Sequence, residues 1–176
     1  QQDALDAAAA EMTAAGAQVL ERKVDVSDLV QMENLAAAVK ERFGAPHFVF
    51  NNAGVAAGGL VWESSVKDWE WVLGVNLWGV IHGVRLFTPM MLEAAKKDPA
   101  YQGHIVNTAS MAGLTIPPNS GVYNVSKSAV VALTETLFHD LDLVTDQIGC
   151  SVLCPYFIST GINQSQRNRP GELAAD

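Results

Sequence analysis

The chain has 176 residues, of which 49% are hydrophobic and 17% are charged. This composition predicts one globular domain with a sizeable core and excludes a disordered chain. The formal net charge of −8 argues against a nucleic-acid groove, which needs clustered Lys and Arg side chains. We find no apolar run long enough to span a membrane and no secretion signal, so we expect a cytoplasmic protein without a membrane partner.

Cysteine and histidine usage predicts neither a disulfide nor a metal site. The only two cysteines are Cys150 and Cys154, and on one extended strand they would lie ~13 Å apart, which is too far for a disulfide. The four histidines and two cysteines show no metal-ligand spacing. We therefore expect buried, reduced thiols and no metal ion.

Helical and strand patterns alternate along the chain. The predicted elements are a helix over 3–15, a strand over 19–26, a helix from 27 or 28 to 43, a strand over 48–50, a helix over 68–97, a strand around 105–106, a loop over 113–121, a helix over 122–143 and a strand over 151–153. Pro89 predicts a kink or break in the long helix. The alternation predicts an α/β fold, with a parallel sheet covered by helices on both faces.

Several polar residues follow the predicted strands. Asp25, Asn51 and Ser110 fall at or just past a strand end, where such sheets form their ligand crevice. Tyr123 and Lys127, four residues apart on a helix, share one face, so the ammonium can stabilise the phenolate. Taken alone, this pair is more often a surface lysine beside a half-buried tyrosine. Combined with Ser110, it indicates an enzyme that interconverts an alcohol and a ketone.

Further motifs accompany that pair in a fixed order: Asn51-Asn52-Ala53-Gly54, Asn76, Ser110, Tyr123-x-x-x-Lys127 and Pro155-x-x-x-x-Thr160. In these motifs and their spacing, from Asp25 to Thr160, the chain resembles the short-chain dehydrogenases/reductases. The resemblance implies a Rossmann-like, doubly wound parallel sheet and NAD or NADP as cofactor. It also implies an oxidoreductase that acts on a small secondary alcohol or carbonyl compound.

The resemblance implies catalytic roles for four residues: Asn76, Ser110, Tyr123 and Lys127. Tyr123 would give or take the proton, and Lys127 would lower the pKa of Tyr123 and contact the nicotinamide ribose. Ser110 would hold the substrate oxygen, and Asn76 would support a proton relay through an ordered water. A purely structural hydrogen bond would satisfy Asn76 equally well.

The resemblance also implies a set of cofactor-binding residues: Asp25, Val26, Asn52, Ala53, Gly54, Tyr123, Lys127, Pro155 and Thr160. Asp25 would contact the adenine, although it could also be an ordinary carboxylate at a strand end. Thr160 would hydrogen-bond the nicotinamide carboxamide. Tyr156 stands where the family usually has a glycine, and this departure is expected to reshape the nicotinamide pocket or the substrate mouth.

Gly54, Gly58 and Gly59 could indicate a phosphate-binding loop because they follow a strand. Such a loop must open directly into a helix, so that the helix N-terminus faces the anion. Residues 60–62, Leu-Val-Trp, carry no helix signal. We therefore predict no phosphate loop at these glycines.

The family's first two strands and its Gly-rich turn have no counterpart here, nor has its C-terminal end. Since the family's sheet order is 3-2-1-4-5-6-7, the strands 19–26 and 48–50 would be separated by two absent strands. We expect residues 1–176 to form a single domain, incomplete at both ends, of a longer polypeptide. The alternative is a natural remnant that cannot bind a dinucleotide.

Two other functions stay open, namely an epimerase or dehydratase that retains bound NAD and a non-catalytic cofactor-sensing or interaction protein. The long helices 68–97 and 122–143 have counterparts that pack across subunit interfaces in the family, which implies a homodimer or homotetramer. They could instead only cover the sheet. The tryptophans Trp69, Trp71 and Trp78 are expected in the core or in such an interface.

Overall fold

A computed structural model describes residues 2–174. Its three strands are all parallel and pair in the order β1-β2-β3. Val49 lies opposite Ile105, which in turn lies opposite Cys150. The strands are β1 (Phe48–Asn51), β2 (Gly103–Thr108) and β3 (Ile148–Leu153). This parallel sheet with intervening helices confirms the predicted α/β class.

Six α-helices accompany the sheet: α1 (Gln2–Ala14), α2 (Leu29–Phe43), α3 (Val66–Leu73), α4 (Gly79–Lys97), α5 (Ala112–Thr115) and α6 (Gly121–Asp142). A π-helical segment, Gly74–Trp78, joins α3 to α4. Two 3₁₀ helices, Gly161–Asn168 and Gly171–Leu173, follow β3. Local capping sets two of the starts, since Asp28 caps α2 and Ser65 forms a capping box with Asp68 at α3.

The largest core cluster lies between the sheet and helices α2, α4 and α6, and it includes one residue from each strand, Val49, Ile105 and Ile148. The opposite face of β1 differs, because Phe48 is 60% exposed and Phe50 is 48% exposed. Side chains alternate between faces along a strand. Among the described residues, the helices therefore cover one face of β1.

The predicted strand 19–26 does not form. Residues 19–25 have no regular structure, and within 2–174 the sheet contains only β1, β2 and β3. A strand exists only through hydrogen bonds to a neighbour, and no described segment pairs with this one. Its end is nevertheless fixed, because a ring nitrogen of His82 in α4 lies 3.0 Å from the carbonyl oxygen of Val26.

The predicted helix 68–97 begins earlier and is interrupted elsewhere than expected. It starts at Val66, and Pro89 lies inside α4 without ending it. The irregularity is the π-helical segment, which contains the fully buried Asn76. An inserted residue of this kind widens one helical turn and is frequent at functional sites.

The predicted loop 113–121 contains the short helix α5 at its start. This helix packs closely on α6, since a Cβ atom added at Gly113 would lie 2.7 Å from the carbonyl carbon of Lys127. None of the described helices is long and apolar enough to cross a membrane. Within residues 2–174, no group of three or more His, Cys, Asp or Glu side chains could hold a metal ion.

Candidate active site

The carboxyl ends of the three strands bring the segments that carry the motifs to one edge of the sheet. The hydroxyl of Thr108, at the end of β2, donates to Oδ1 of Asn52 at 3.0 Å. Beyond β2, the Met111 amide donates to the carbonyl of Pro155 at 3.0 Å. Parallel strands place their carboxyl ends together, so the segments after β1, β2 and β3 meet at this edge, where sheets of this kind bind their ligands.

The Ser110 and Tyr123 side chains lie close enough for the serine to influence the pKa of the phenol. Burial raises the pKa of Tyr123, and the neighbouring Ser110 side chain opposes that rise. The phenol is therefore protonated at neutral pH. The Ser110 oxygen also accepts from the Ala112 amide at 3.1 Å, which leaves the serine proton for the Pro155 carbonyl at 3.4 Å or for another acceptor.

Lys127 is a buried ammonium beside the tyrosine ring. The residue is only 2% exposed, and its Nζ lies 5.7 Å from the centre of the Tyr123 ring. Nζ donates to the carbonyl oxygen of Thr108 at 2.8 Å. Burial lowers the pKa of Lys127 to about 8, and the charge of Cys154 opposes that fall.

The resemblance implied that Lys127 lowers the pKa of Tyr123, and burial of the phenol gives this pKa a net upward direction. Desolvation of the phenol is the largest influence on that pKa, and Ser110 opposes it. The ammonium donates to Thr108 and lies against the tyrosine ring, so its charge favours the phenolate without outweighing the burial of the phenol.

Asn76 is fully buried and holds two separate elements together. Its Oδ1 accepts from the Val55 amide at 2.8 Å, and its Nδ2 donates to the Val55 carbonyl at 2.9 Å. The same Nδ2 donates to Ser126 Oγ at 3.0 Å, and that hydroxyl donates to the Tyr123 carbonyl at 2.7 Å. Asn76 thus joins the turn after β1 to the first turns of α6, which is the structural alternative left open by the sequence.

Gly54 lies against this polar cluster. A Cβ atom added there would lie 3.6 Å from both Asn76 Oδ1 and Lys127 Nζ. Asn52 and Ala53 precede it in the same turn, and Pro155 faces Ser110 across the edge. The structure thus brings Asn52–Gly54, Ser110, Tyr123, Lys127 and Pro155 to one place.

The remaining predicted cofactor residues lie outside that cluster. Asp25 is exposed, and its carboxylate accepts from the amide and the hydroxyl of Ser27 at 2.9 and 2.7 Å, so it shapes the turn before α2. Val26 packs against α4, where a Cβ atom at Gly79 would lie 2.7 Å from its Cγ2. Thr160 is exposed and caps the 3₁₀ helix after β3.

Several residues that support the site were not found from the sequence. Ser126 and the Thr108 carbonyl hold Asn76 and Lys127 in place. Further along, Ser165 accepts from the Ala56 amide at 3.0 Å, and Arg169 pairs with Asp68 at 2.6 Å. Only Ser126 carried a signal, because it lies within the Tyr123–Lys127 motif. The others depend on contacts between distant parts of the chain.

The arrangement fits the nicotinamide and ribose half of a dinucleotide. Gly54 lets a ligand approach the polar cluster closely, and an ammonium has three donors, of which Thr108 takes one. The chain after β1 stays non-helical until α3 begins at Val66. Gly54, Gly58 and Gly59 therefore do not open directly into a helix, which is the arrangement that a phosphate loop needs.

Comparison with known proteins gives a consistent result. The family model described as short chain dehydrogenase matches residues 1–171. The chain is 33% identical over 159 residues to a CLA biosynthesis dehydrogenase/reductase of Lactiplantibacillus plantarum, covering 90% of this chain and 54% of the relative. It is 39% identical over 147 residues to an uncharacterized NAD-dependent oxidoreductase of Mycobacterium tuberculosis, covering 84% and 51%.

Among solved structures, a short-chain dehydrogenase/reductase from Burkholderia phymatum in complex with NAD is 51% identical, with a TM-score of 0.95. That match covers 100% of this chain and 61% of the other. The chain spans about half the length of the curated relatives that it matches. The family model, the relatives and the shared fold agree, and the chain belongs to the short-chain dehydrogenase family.

Proposed function

We propose that the whole protein is an NAD(P)-dependent oxidoreductase that interconverts a secondary alcohol and a carbonyl compound. The observation that carries the proposal is the placement of the Ser110 and Tyr123 side chains together, beside the buried ammonium of Lys127. Relatives named as oxidoreductases and the NAD in the Burkholderia phymatum structure support it. As cofactor-binding residues we propose the nine residues predicted from the sequence, with Asp25 and Val26 at the adenine end and Thr160 at the carboxamide.

The bound cofactor supplies or accepts the hydride. In reduction, the hydroxyls of Ser110 and Tyr123 both donate to the carbonyl oxygen of the substrate. Tyr123 then gives up its proton, which burial keeps on the phenol at neutral pH. Lys127, buried within reach of the ring, stabilises the phenolate that forms. Oxidation runs the same steps in reverse.

The proton must return to Tyr123 after each reduction. Lys127 is suited to this step because burial brings its pKa to about 8, close to a working pH. We propose that Asn76 takes part by keeping the turn at Val55 and the start of α6 at a fixed separation. Its part in a relay through an ordered water stays a prediction.

Replacing Tyr123 by phenylalanine in the whole protein tests this proposal. We expect kcat to fall by roughly 10²- to 10⁴-fold, the usual contribution of a positioned proton donor. Cofactor binding, followed by NADH fluorescence, should weaken far less than kcat, because the other eight proposed cofactor-binding residues are unchanged. Tyr101→Phe is the matched control, because Tyr101 is buried elsewhere and its hydroxyl donates to the Pro46 carbonyl. A wild-type rate in Tyr123→Phe would refute the assignment.

The same assay distinguishes the two other functions. An epimerase or dehydratase would show no net NAD(P)H consumption with a ketone, and a non-catalytic protein would bind the cofactor without any turnover.

We further propose a cytoplasmic homodimer or homotetramer. Trp78 in the π-helical segment and Phe138 on α6 support association, since they are 51% and 53% exposed. Sedimentation velocity of the whole protein measures the state of association directly.

A further inference from the structure

Three chain segments surround the Ser110–Tyr123 pair, and we call them together the rim. They are residues 54–62 after β1, residues 110–121 between β2 and α6, and residues 155–160 after β3. None of these three segments contains an Asp, Glu, Lys, Arg or His residue. The chain as a whole is 17% charged, so this uniform lack of charge is a property of the rim that needs an explanation.

Hydrogen bonds and packing hold the three rim segments together next to the reacting pair. The Gly59 amide donates to the Asn119 carbonyl at 2.9 Å, and a Cβ atom at Gly121 would lie 2.7 Å from a methyl carbon of Val61. Gly121 is two residues before Tyr123. On the other side, the Met111 amide donates to the Pro155 carbonyl at 3.0 Å. Side chains of the rim thus lie around the crevice that contains Tyr123.

Large apolar side chains of the rim are exposed to solvent. Trp62 is 77% exposed, Ile116 56%, Tyr156 73% and Phe157 88%. The rings of Tyr156 and Phe157 pack edge to face, 5.0 Å apart. Single exposed apolar residues are ordinary, but a group on three neighbouring segments indicates a surface that is covered in the whole protein, by a substrate or by another part of the polypeptide.

Lys127, the cation that lies beside Tyr123, is unsuited to binding an acidic substrate. Lys127 is 2% exposed, and its ammonium is bonded to the Thr108 carbonyl. A carboxylate or phosphate that entered the rim would lose its hydration without gaining a partner of opposite charge. An apolar body would instead remove the rim side chains from water.

We propose that the substrate is a neutral secondary alcohol or its ketone whose apolar body is bound by the rim, with Ile116 and Phe157 as specificity-determining residues. This inference rests on the proposed function, because it places the reacting carbon at Ser110 and Tyr123. Beyond that function, the inference specifies that the part of the substrate that does not react is apolar. Tyr156, which stands in place of the family's usual glycine, enlarges the apolar area of the rim.

The test uses the whole protein with NAD or NADP and a series of 2-alkanols from four to eight carbons. We expect kcat/KM to rise ~2- to 4-fold per added methylene, the range for partial to complete burial. 7-Hydroxyoctanoate matches 2-octanol except for a carboxylate at the far end. It should be at least about tenfold poorer, because the rim offers no partner for its charge.

Two variants locate the effect. Phe157→Ser and Ile116→Ser should reduce the increase per methylene while NADH binding stays unchanged. Leu143→Ser is the matched control, because Leu143 is 82% exposed and follows the far end of α6 from Tyr123. It should keep the wild-type increase with chain length.

The outcomes separate the two proposals. Turnover that does not depend on chain length, or a preference for 7-hydroxyoctanoate, overturns the substrate class and leaves the oxidoreductase intact. If kcat/KM depends on chain length in both rim variants as it does in the wild type, the proposed substrate class is overturned. A change in sedimentation of the same variants would then show that a second copy of the chain covers the rim. No turnover of any alcohol or ketone by the wild type overturns the proposed function and this inference with it.

Discussion

The cluster around Lys127 and the rim around it invert the usual distribution of side chains. In the cluster, polar Asn76 and Ser126 are fully buried and Lys127 is 2% exposed, whereas apolar Ile116 and Phe157 on the rim are 56% and 88% exposed. Folding alone favours the reverse, with apolar groups inside and charged groups outside. The buried polar cluster and the exposed apolar side chains both cost stability, and they lie next to each other. Proteins retain such costly arrangements mainly at functional sites.

The two regions also differ in how firmly they are held. Asn76 makes three hydrogen bonds to two different elements, and Lys127 is bonded to the end of β2. On the rim, Ile116 and Asn119 both have positive φ angles, of 50° and 59°. Left-handed backbone at a β-branched residue is strained. We infer that the cluster positions reacting atoms and that the rim selects what reaches them.

The largest effect should come from removing the ammonium of the cluster. Lys127→Met should lower kcat by roughly 10²- to 10⁴-fold, because the phenolate of Tyr123 loses its stabilising charge. Stability should change little, because replacing a buried charge by an apolar side chain of similar size offsets the loss of the hydrogen bond to the Thr108 carbonyl. Steady-state kinetics and urea unfolding of the whole protein measure the two effects separately. A loss of stability that matches the loss of activity would show that Lys127 supports the fold rather than the reaction.

The pH dependence of the wild type checks the same residue. The pKa of Lys127 is about 8, lowered by burial, so the ammonium is present below that pH and is lost above it. The rate of ketone reduction should therefore fall as the pH rises through about 8. In Lys127→Met the residual rate should lack this decrease, and a decrease that persists would assign it to another group.

The next largest effect should come from Asn76, and here stability should change. Asn76→Ala leaves the buried amide and carbonyl of Val55 without partners, and it should lower the free energy of unfolding by about 2–4 kcal/mol. Urea unfolding measures the change. The control Asn163→Ala removes an exposed asparagine and should stay within about 0.5 kcal/mol of wild type. An equal effect of both variants would show that Asn76 does not hold the cluster together.

A smaller effect is expected where the chain after β3 is fastened to α3. Arg169 pairs with Asp68 at 2.6 Å and lies over the Trp71 ring, with its side chain only 6% exposed. Asp68→Asn should lower the free energy of unfolding by ~1–3 kcal/mol, less than for a fully buried pair. Urea unfolding measures this, and the rate with a saturating apolar alcohol should change less than the stability.

This contribution has a defined pH dependence. Burial raises the pKa of Asp68, but the hydrogen bonds from Ser65 and Arg169 outweigh it, so the pKa lies below its ordinary value of 3.8. A lowered pKa means that the stabilisation is complete above that value and is lost as the pH falls below it. The difference between wild type and Asp68→Asn should be the same at pH 6 and 7 and should shrink towards pH 3.

The sequence predicts those parts of the molecule that depend on neighbouring residues. The helix that carries Tyr123 and Lys127 and the three strands follow from local periodicity and from a spacing of four on one helical face. Pairing of residues 19–26 could not be predicted from their pattern, because a strand also needs a neighbour. Likewise, the π-helical segment contains Asn76, whose partner Val55 is 21 positions away.

The same limit applies to the site. The identities of Ser110, Tyr123 and Lys127 are visible in the motif, but the direction of the ammonium is not, because Thr108 precedes Lys127 by 19 residues. Burial of the phenol, which raises the pKa of Tyr123, likewise depends on packing between distant parts of the chain. The pair of Asp68 and Arg169 is separated by 101 residues and has no local signal.

The smallest expected effect on stability concerns Ile116 and has the opposite sign to the others. Ile116 has left-handed backbone, with φ 50° and ψ 59°, which costs a β-branched residue about 1–2 kcal/mol. Ile116→Gly removes that cost but adds about 0.5–1 kcal/mol of unfolded-state entropy, so a net stabilisation of about 0–1 kcal/mol is expected. The same change removes an apolar side chain from the rim, so kcat/KM for 2-octanol should fall about two- to fivefold. Asn119→Gly is the control, since asparagine tolerates its φ of 59° and adds no apolar area, so neither quantity should change much. General loosening of the loop would lower stability and activity together, whereas strain retained for substrate binding changes them in opposite directions. A drop in both would therefore contradict the assignment of the rim.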